Sequence, residues 1–182
     1  MNNQTRANLL AFSDPLPLQA SPDVESAALR SAMRQMAGGV AIVTTGSGDD
    51  RTGATVTSAT ALSVDPPRML VSLNRSSSTW PVLEKSGAFA VNLVALRHQN
   101  LANRFAGVGG VKGRDRYEGA GWTTLVSGAP VLEDAVAVMD CEVEEAIERH
   151  SHVLIIGRVV ALRTGLGVSL AYADGRYHEI RE

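Results

Sequence analysis

With a single cysteine, Cys141, the 182-residue chain can form no intramolecular disulfide and no cysteine-rich zinc site. Net charge is scarce as well. Seventeen Lys and Arg against nineteen Asp and Glu leave a formal −2, so there is no basic field to hold nucleic acid. No apolar run is long enough to cross a membrane. The first residues, MNNQTRANLLAFSDP, lack a basic start followed by a long apolar core. No export signal is therefore expected, and a reduced, cytoplasmic setting is the default expectation.

Several catalytic signatures are missing too. There is neither a GxSxG elbow nor a GxxxxGK[ST] loop. The glycine-rich stretch Gly107 to Gly113 (GVGGVKG) puts Lys112 where the third glycine of GxGxxG would stand. A surface loop, acting as a lid or a subunit contact, is the better reading of it. The four histidines are His98, His150, His152 and His178, and only Glu148 lies near His150 and His152 in strand register. That falls short of a ligand set, and no metal is expected. Asp140 and Glu142 flank Cys141, which raises its pKa and suits a core-packing role. The run Glu142, Glu144, Glu145, Glu148 reads as a solvated strand face.

What is present describes an ordinary globular domain: 45% hydrophobic and 20% charged residues in 19.2 kDa. Residues 1–22, with Pro15, Pro17 and Pro22 and no sustained period, read as a flexible N-terminal leader before a domain over 23–182. Ser21 can cap a first helix, with Val24, Ala28, Met33 and Met36 near one face, ending at Gly38-Gly39. Strands are expected at Val40–Thr45, through the segment after Gly53, and at Met69–Leu73, Ala88–Leu93, Ala135–Ile147 and His152–Arg163. Short ones near Leu170–Tyr172 and Tyr177 would close the sheet. The alternation along 136–147 slips once, the mark of a bulge. Helices are expected near Thr79–Ser86 and Arg97–Phe105, and a mobile surface loop over Gly107 to Gly121. With no βαβ rhythm, the pattern indicates a mainly β or α+β fold, an antiparallel barrel with a few flanking helices.

The densest chemistry lies in GATVTSATALSVDPPRMLVSLNRSSST, Gly53 to Thr79. Thr55, Thr57, Ser58, Thr60 and Ser63 offer small uncharged donors on strands, and a turn follows at Asp65-Pro66-Pro67. Ser76 to Thr79 then supply four hydroxyls where a helix cap needs one. Arg75 and Arg104 could add charge for a phosphate. Together these suit a planar polar ligand carrying a phosphate. Trp80 and Trp122 suit either stacking on a ligand or the core.

In order and spacing, that segment with SGAFAVNLVALRHQNLANRFAG, SHVLIIGRV and SLAYADGRY resembles the flavin reductase-like family, whose fold is the FMN-binding split barrel. The resemblance runs from about Ala27 to Tyr177. It implies an NADH-dependent flavin reductase that passes hydride to FAD or FMN and supplies reduced flavin to a partner monooxygenase, as a homodimer. The flavin would contact Gly53, Ala54, Thr55, Thr57, Ser58, Ser72, Leu73 and Asn74, with its phosphate at Ser78, Thr79, Arg104 and Phe105. His152 would be the catalytic residue near flavin and nicotinamide, and Tyr172, Ala173, Asp174 and Gly175 would border the nicotinamide nucleotide. Arg149-His150-Ser151 and Ser169 depart from the family's usual pattern, which touches the nicotinamide contacts. NADH versus NADPH stays open, since a 2′-phosphate reader among Arg158, Arg163 and Arg176 cannot be chosen from sequence. Two other readings share the barrel: a flavin-binding module without turnover, and an oxidase of the pyridoxamine-phosphate type.

Overall fold

The computed structural model describes residues 24–180. The expected leader, with Ser21 and Pro22, lies outside them. The chain divides into two units, Met1–Met33 and Arg34–Glu182. The described part of the first holds one helix, α1 (Ser26–Met33), with no buried residue.

The second unit contains twelve strands among the described residues: β1 (Gly38–Gly39), β2 (Ala41–Thr45), β3 (Thr52–Val56), β4 (Ala59–Val64), β5 (Pro67–Asn74), β6 (Ala88–Leu93), β7 (Trp122–Thr124), β8 (Pro130–Leu132), β9 (Ala137–Arg149), β10 (His152–Thr164), β11 (Leu170–Ala173) and β12 (Arg176–Glu179). Its helices are α2 (Trp80–Ser86) and α3 (Gln99–Phe105), the latter preceded by a 3-10 turn over Leu96–His98. Seven strands form one antiparallel sheet in the order β3-β2-β6-β9-β10-β5-β4, and β1-β11-β12 form a second.

The order of the large sheet explains its shape. β3 and β4 lie at its opposite edges, yet only Thr57 and Ser58 separate them in sequence. So short a link reaches across only if the sheet curls until its edges approach. Ser58 Oγ donates to Ser72 O at 2.7 Å, extending the β4–β5 pairing by one residue toward this seam. β3 and β4 are not themselves paired, so the barrel is split there.

Every residue of β2 is buried because both of its faces are covered. Ala41 and Val43 join Met69, Val71, Leu73, Phe89, Val91, Val153 and Ile155 inside the barrel, where α2 adds Trp80 and Leu83. Ile42 faces the other way, into a second cluster with Leu101, Phe105, Tyr117, Val131 and Leu132. β5 and β10 have one face in the barrel, so Met69, Val71, Leu73, Val153 and Ile155 alternate with less buried neighbours.

The expected slip in β9 falls at Glu144, which lies unpaired between Glu145, opposite Ile156, and Val143, opposite Gly157. β10 has a slip of its own at Val160. The stretch 107–121 differs from a loose surface loop. It holds two 3-10 turns, and Tyr117 within it is buried, donating from its hydroxyl to Thr52 O at 2.5 Å. Burial pushes the Tyr117 phenol well above its usual pKa. Cys141 is buried in the barrel, and burial, then Asp140, push its thiol up to about 12, so it is an inert packing group. Among the described residues no helix is long and apolar enough to cross a membrane.

Candidate active site

One pocket of about 350 Å³ gathers residues from four parts of the unit. β3 and its exit supply Thr55, Val56 and Thr57; α3 and the turn after it supply Asn103, Ala106 and Val108; the β11–β12 hairpin supplies Tyr172, Gly175 and Tyr177; Val40 completes the lining.

Local chemistry fixes each wall. A Cβ on Gly53 would stand 2.5 Å from Val43 O and 2.8 Å from the Phe105 ring, so glycine lets α3 press against β3. Thr55 Oγ1 donates to Ala102 O at 2.7 Å and ties that helix in place. Phe105 packs edge-on to Tyr117, ring centroids 5.0 Å apart. The hairpin turns through Asp174 (φ 48°) and Gly175 (φ 77°), the left-handed pair of a two-residue turn. That turn sets Tyr172 opposite Tyr177, with centroids 5.1 Å apart. Burial, then the neighbouring Tyr172, raise the pKa of Tyr177, so the Tyr177 ring is neutral at ordinary pH.

The residues singled out in the sequence fall into three groups. Thr55, Thr57, Tyr172 and Gly175 share this pocket, with Ala173 and Asp174 in the hairpin beside it and Ala54 half-buried on β3. A second group sits across the seam. Ser58 bonds the backbone of Ser72, Asn74 lies opposite His152, and exposed His152 places Nδ1 2.9 Å from Ser151 Oγ. Leu73 points into the barrel and offers only its backbone.

The third group is the serine-rich turn. Asn74 Oδ1 accepts from Ser76 N at 2.9 Å and Ser76 Oγ at 2.8 Å, and Ser77 Oγ accepts from Trp80 N at 3.4 Å. Thr79 occupies the cap position of α2 without a side-chain cap bond, and its buried hydroxyl has no partner among the described residues. Ser78 is exposed. Arg104 turns away to Glu118 Oε2 (3.0 Å), Glu118 O (3.1 Å) and Asp115 O (2.5 Å), bracing the 113–118 turn. Phe105 is core, 2% exposed. A phosphate contact by Arg104 therefore requires the brace to open, and Phe105 shapes the site from behind.

Sequence reasoning missed Asn103 and Tyr177. Asn103 is a half-buried amide lining the pocket with no hydrogen-bond partner among the described residues. The signal for Tyr177 was its cross-strand relation to Tyr172 once a hairpin is drawn at Asp174-Gly175. For Asn103 no local signal existed, because only the docking of α3 on β3 turns it inward.

A second concavity, about 330 Å³, is lined by Arg97, His98, Glu133, Asp134 and the chain from Gly119 to Gly121. Its charges answer one another. His98 Nε2 lies 2.9 Å and Arg97 Nε 3.1 Å from Asp134 Oδ2. Burial pushes the Asp134 carboxyl up, but His98 and Arg97 together outweigh it and hold its pKa below the usual value. Arg97 also donates to Leu166 O at 3.2 Å, so the cluster latches two turns together. Among the described residues no group of three or more His, Cys, Asp or Glu is placed to hold a metal ion.

The lining of the first pocket has aromatic faces and small neutral donors but no nucleophile–base pair. It can bind and orient a planar ring; covalent chemistry has no residue to start from.

Comparison with known proteins agrees. The flavin reductase like domain matches residues 33–181. FMN reductase (NADH) RutF of Variovorax paradoxus (strain S110) is 35% identical over 174 residues, 95% of this chain and 96% of that protein. BorF, the flavin reductase component of a bacterial two-component tryptophan halogenase, superposes with a TM-score of 0.79 at 27% identity, covering 87% of this chain and 99% of its own. The styrene monooxygenase flavin reductase of Pseudomonas putida S12 gives a TM-score of 0.73 at 30% identity over 85% and 97% of the two chains. A split antiparallel barrel, a tyrosine-walled pocket without a nucleophile, and a match over most of its length show that the chain belongs to the flavin reductase-like family.

Proposed function

We propose that the protein is an NADH-dependent flavin reductase that reduces FMN or FAD and releases it to a partner oxygenase. The observation that carries this reading is the pocket. Two tyrosine rings face a lining where Thr57 and Asn103 have no hydrogen-bond partner among the described residues. A planar ring system fits such a site. Its volume lies at the low end for small-molecule sites and suits one ring system rather than a whole dinucleotide.

Bound flavin and nicotinamide supply the redox chemistry themselves, as hydride acceptor and hydride donor. The chain's part is to hold the rings in register, exclude water with Val40, Val56 and Val108, and hydrogen-bond the polar ring edges. The proposal keeps the backbone of Gly53 to Thr55, Thr57, Ser58, Ser72 and Asn74 as flavin contacts, with Ser78 and Thr79 toward the phosphate. His152, opposite Asn74 where β10 pairs with β5, is proposed to polarise the reacting rings. Neutral donors also suit a flavin that must leave: they hold it less tightly than a charged clamp.

Structural neighbours named as the flavin reductase component of a two-component tryptophan halogenase and as the flavin reductase of a styrene monooxygenase support the partner assignment. A homodimer belongs to the same proposal. Leu70, Leu154, Ile156 and Ile147 form a half-buried apolar row on the sheet face turned away from the barrel interior. Such a row suits burial against a second copy. Sedimentation equilibrium is expected to give a two-chain mass, and a monomer at micromolar concentration would remove the dimer.

The central test is NADH oxidation in air with FMN or FAD added. Flavin-dependent loss of NADH absorbance is expected, with oxygen regenerating the flavin. His152→Ala is expected to slow it about tenfold while flavin affinity stays within about twofold. No turnover with either flavin, despite tight flavin binding, would replace the enzyme by a binding module.

A further inference from the structure

We propose that Arg34 reads the phosphate of the nucleotide whose ring occupies the Tyr172–Tyr177 pocket; the inference rests on the flavin-reductase reading of that pocket.

Three observations converge on this residue. Its position is built: Arg34 O accepts a hydrogen bond from Asp174 N at 2.8 Å, pinning the backbone to the hairpin turn. Its side chain lies across Gly175, with Nη2 2.8 Å from the point a Cβ there would occupy. Gly175, itself a pocket-lining residue, thus serves both a left-handed φ of 77° and the room taken by the guanidinium. Its charge is only weakly committed: the guanidinium makes no hydrogen bond among the described residues, and its ion pair with Asp174, Nε to Oδ1 at 4.0 Å, joins two largely exposed side chains and is worth little.

The other arginines near the site are engaged. Arg104 braces the 113–118 turn, Arg116 donates to Gly53 O and Val111 O, and Arg158 pairs with Glu142. Arg163 donates to Leu132 O. Arg176 follows Gly175 but alternates with pocket-lining Tyr177, which sends it to the opposite face of the hairpin. The pocket lining has no cation, and its volume holds a ring system. A phosphate tail must therefore emerge at the rim, where Arg34 presents a donor fork matched to phosphate oxygens.

Both substrates carry phosphate, and paired substrates tell them apart. KM is measured for FMN against riboflavin, and for NADH against the phosphate-free reduced nicotinamide riboside. The comparison is made in wild type, Arg34→Ala, Arg34→Lys and the control Arg176→Ala. Arg34→Ala is expected to raise KM about tenfold for the phosphate-bearing member of one pair, with kcat and the phosphate-free member within about twofold. Arg34→Lys, which keeps charge but loses the fork, is expected to fall between. Collapse of the FMN preference assigns the flavin phosphate to Arg34 in place of Ser78 and Thr79, and collapse of the NADH preference assigns the dinucleotide and leaves the flavin phosphate with them. A wild type without either preference, or an active Arg34 variant that keeps both, would overturn the proposal. So would equal effects from Arg176→Ala. If Arg34→Ala fails to fold, Arg34→Lys alone decides, because it keeps the side-chain stem and the backbone bond to Asp174. A wild type inactive toward every pair instead sinks the flavin-reductase reading and is distinguishable from all of these.

Discussion

The turn from Asn74 to Thr79 and the wall of the Tyr172–Tyr177 pocket are both rich in small polar groups, yet they use them in opposite ways. In the turn, Asn74 binds Ser76, Ser77 caps the first amide of α2, and Thr79 is buried. Two hydroxyls there have no partner among the described residues, and of these Ser78 is exposed while Thr79 is buried. In the pocket, Thr55 is tied to α3, while Thr57 and Asn103 keep open hydrogen-bonding capacity. Donor density in a sequence therefore does not measure donor availability. Backbone groups compete for the same hydroxyls, and a turn with many exposed amides wins that competition locally.

The largest test of this contrast is Tyr172→Ala. Losing a stacking face is expected to lower kcat/KM about tenfold to a hundredfold. Stability should fall by only about 1 kcal/mol through the lost ring pair with Tyr177, as read by urea unfolding. An unchanged kcat/KM would mean the ring merely props the hairpin, and the contrast would break.

A smaller, sharper test lies in the serine turn itself. Ser77→Ala is expected to cost about 1 kcal/mol of stability by removing the acceptor for Trp80 N, with flavin KM within about twofold. Ser78→Ala is expected to behave inversely, with stability within about 0.5 kcal/mol of wild type and flavin KM raised about threefold through loss of one weak neutral hydrogen bond. Matching behaviour of the two variants would show that the turn acts as one unit.

Much of the fold was legible because its signals are local. The strands expected at Met69–Leu73 and His152–Arg163 lie within β5 and β10, the short ones near Leu170–Tyr172 and Tyr177 are β11 and β12, and the broken alternation in 136–147 marks a strand with a bulge at Glu144. Where a residue answers to partners far along the chain, the sequence was silent. The partners of Arg104, Glu118 and Asp115, lie eleven and more residues along the chain and could not be read from its own segment. Residues 107–121 looked loose because nothing in their glycines announces that Tyr117 reaches Thr52 O. Asn103 could not be singled out before Gly53 allowed Phe105, and with it α3, to settle on β3.

By itself the sequence determined a mainly antiparallel β fold and the motif order of the flavin reductase-like family. Periodicity and turn chemistry act over a few residues, and motif order survives without coordinates. Only the tertiary structure decided which polar groups remain free to meet a ligand. That availability is what is left after every buried amide and charge has found a partner, and the partners come from distant parts of the chain.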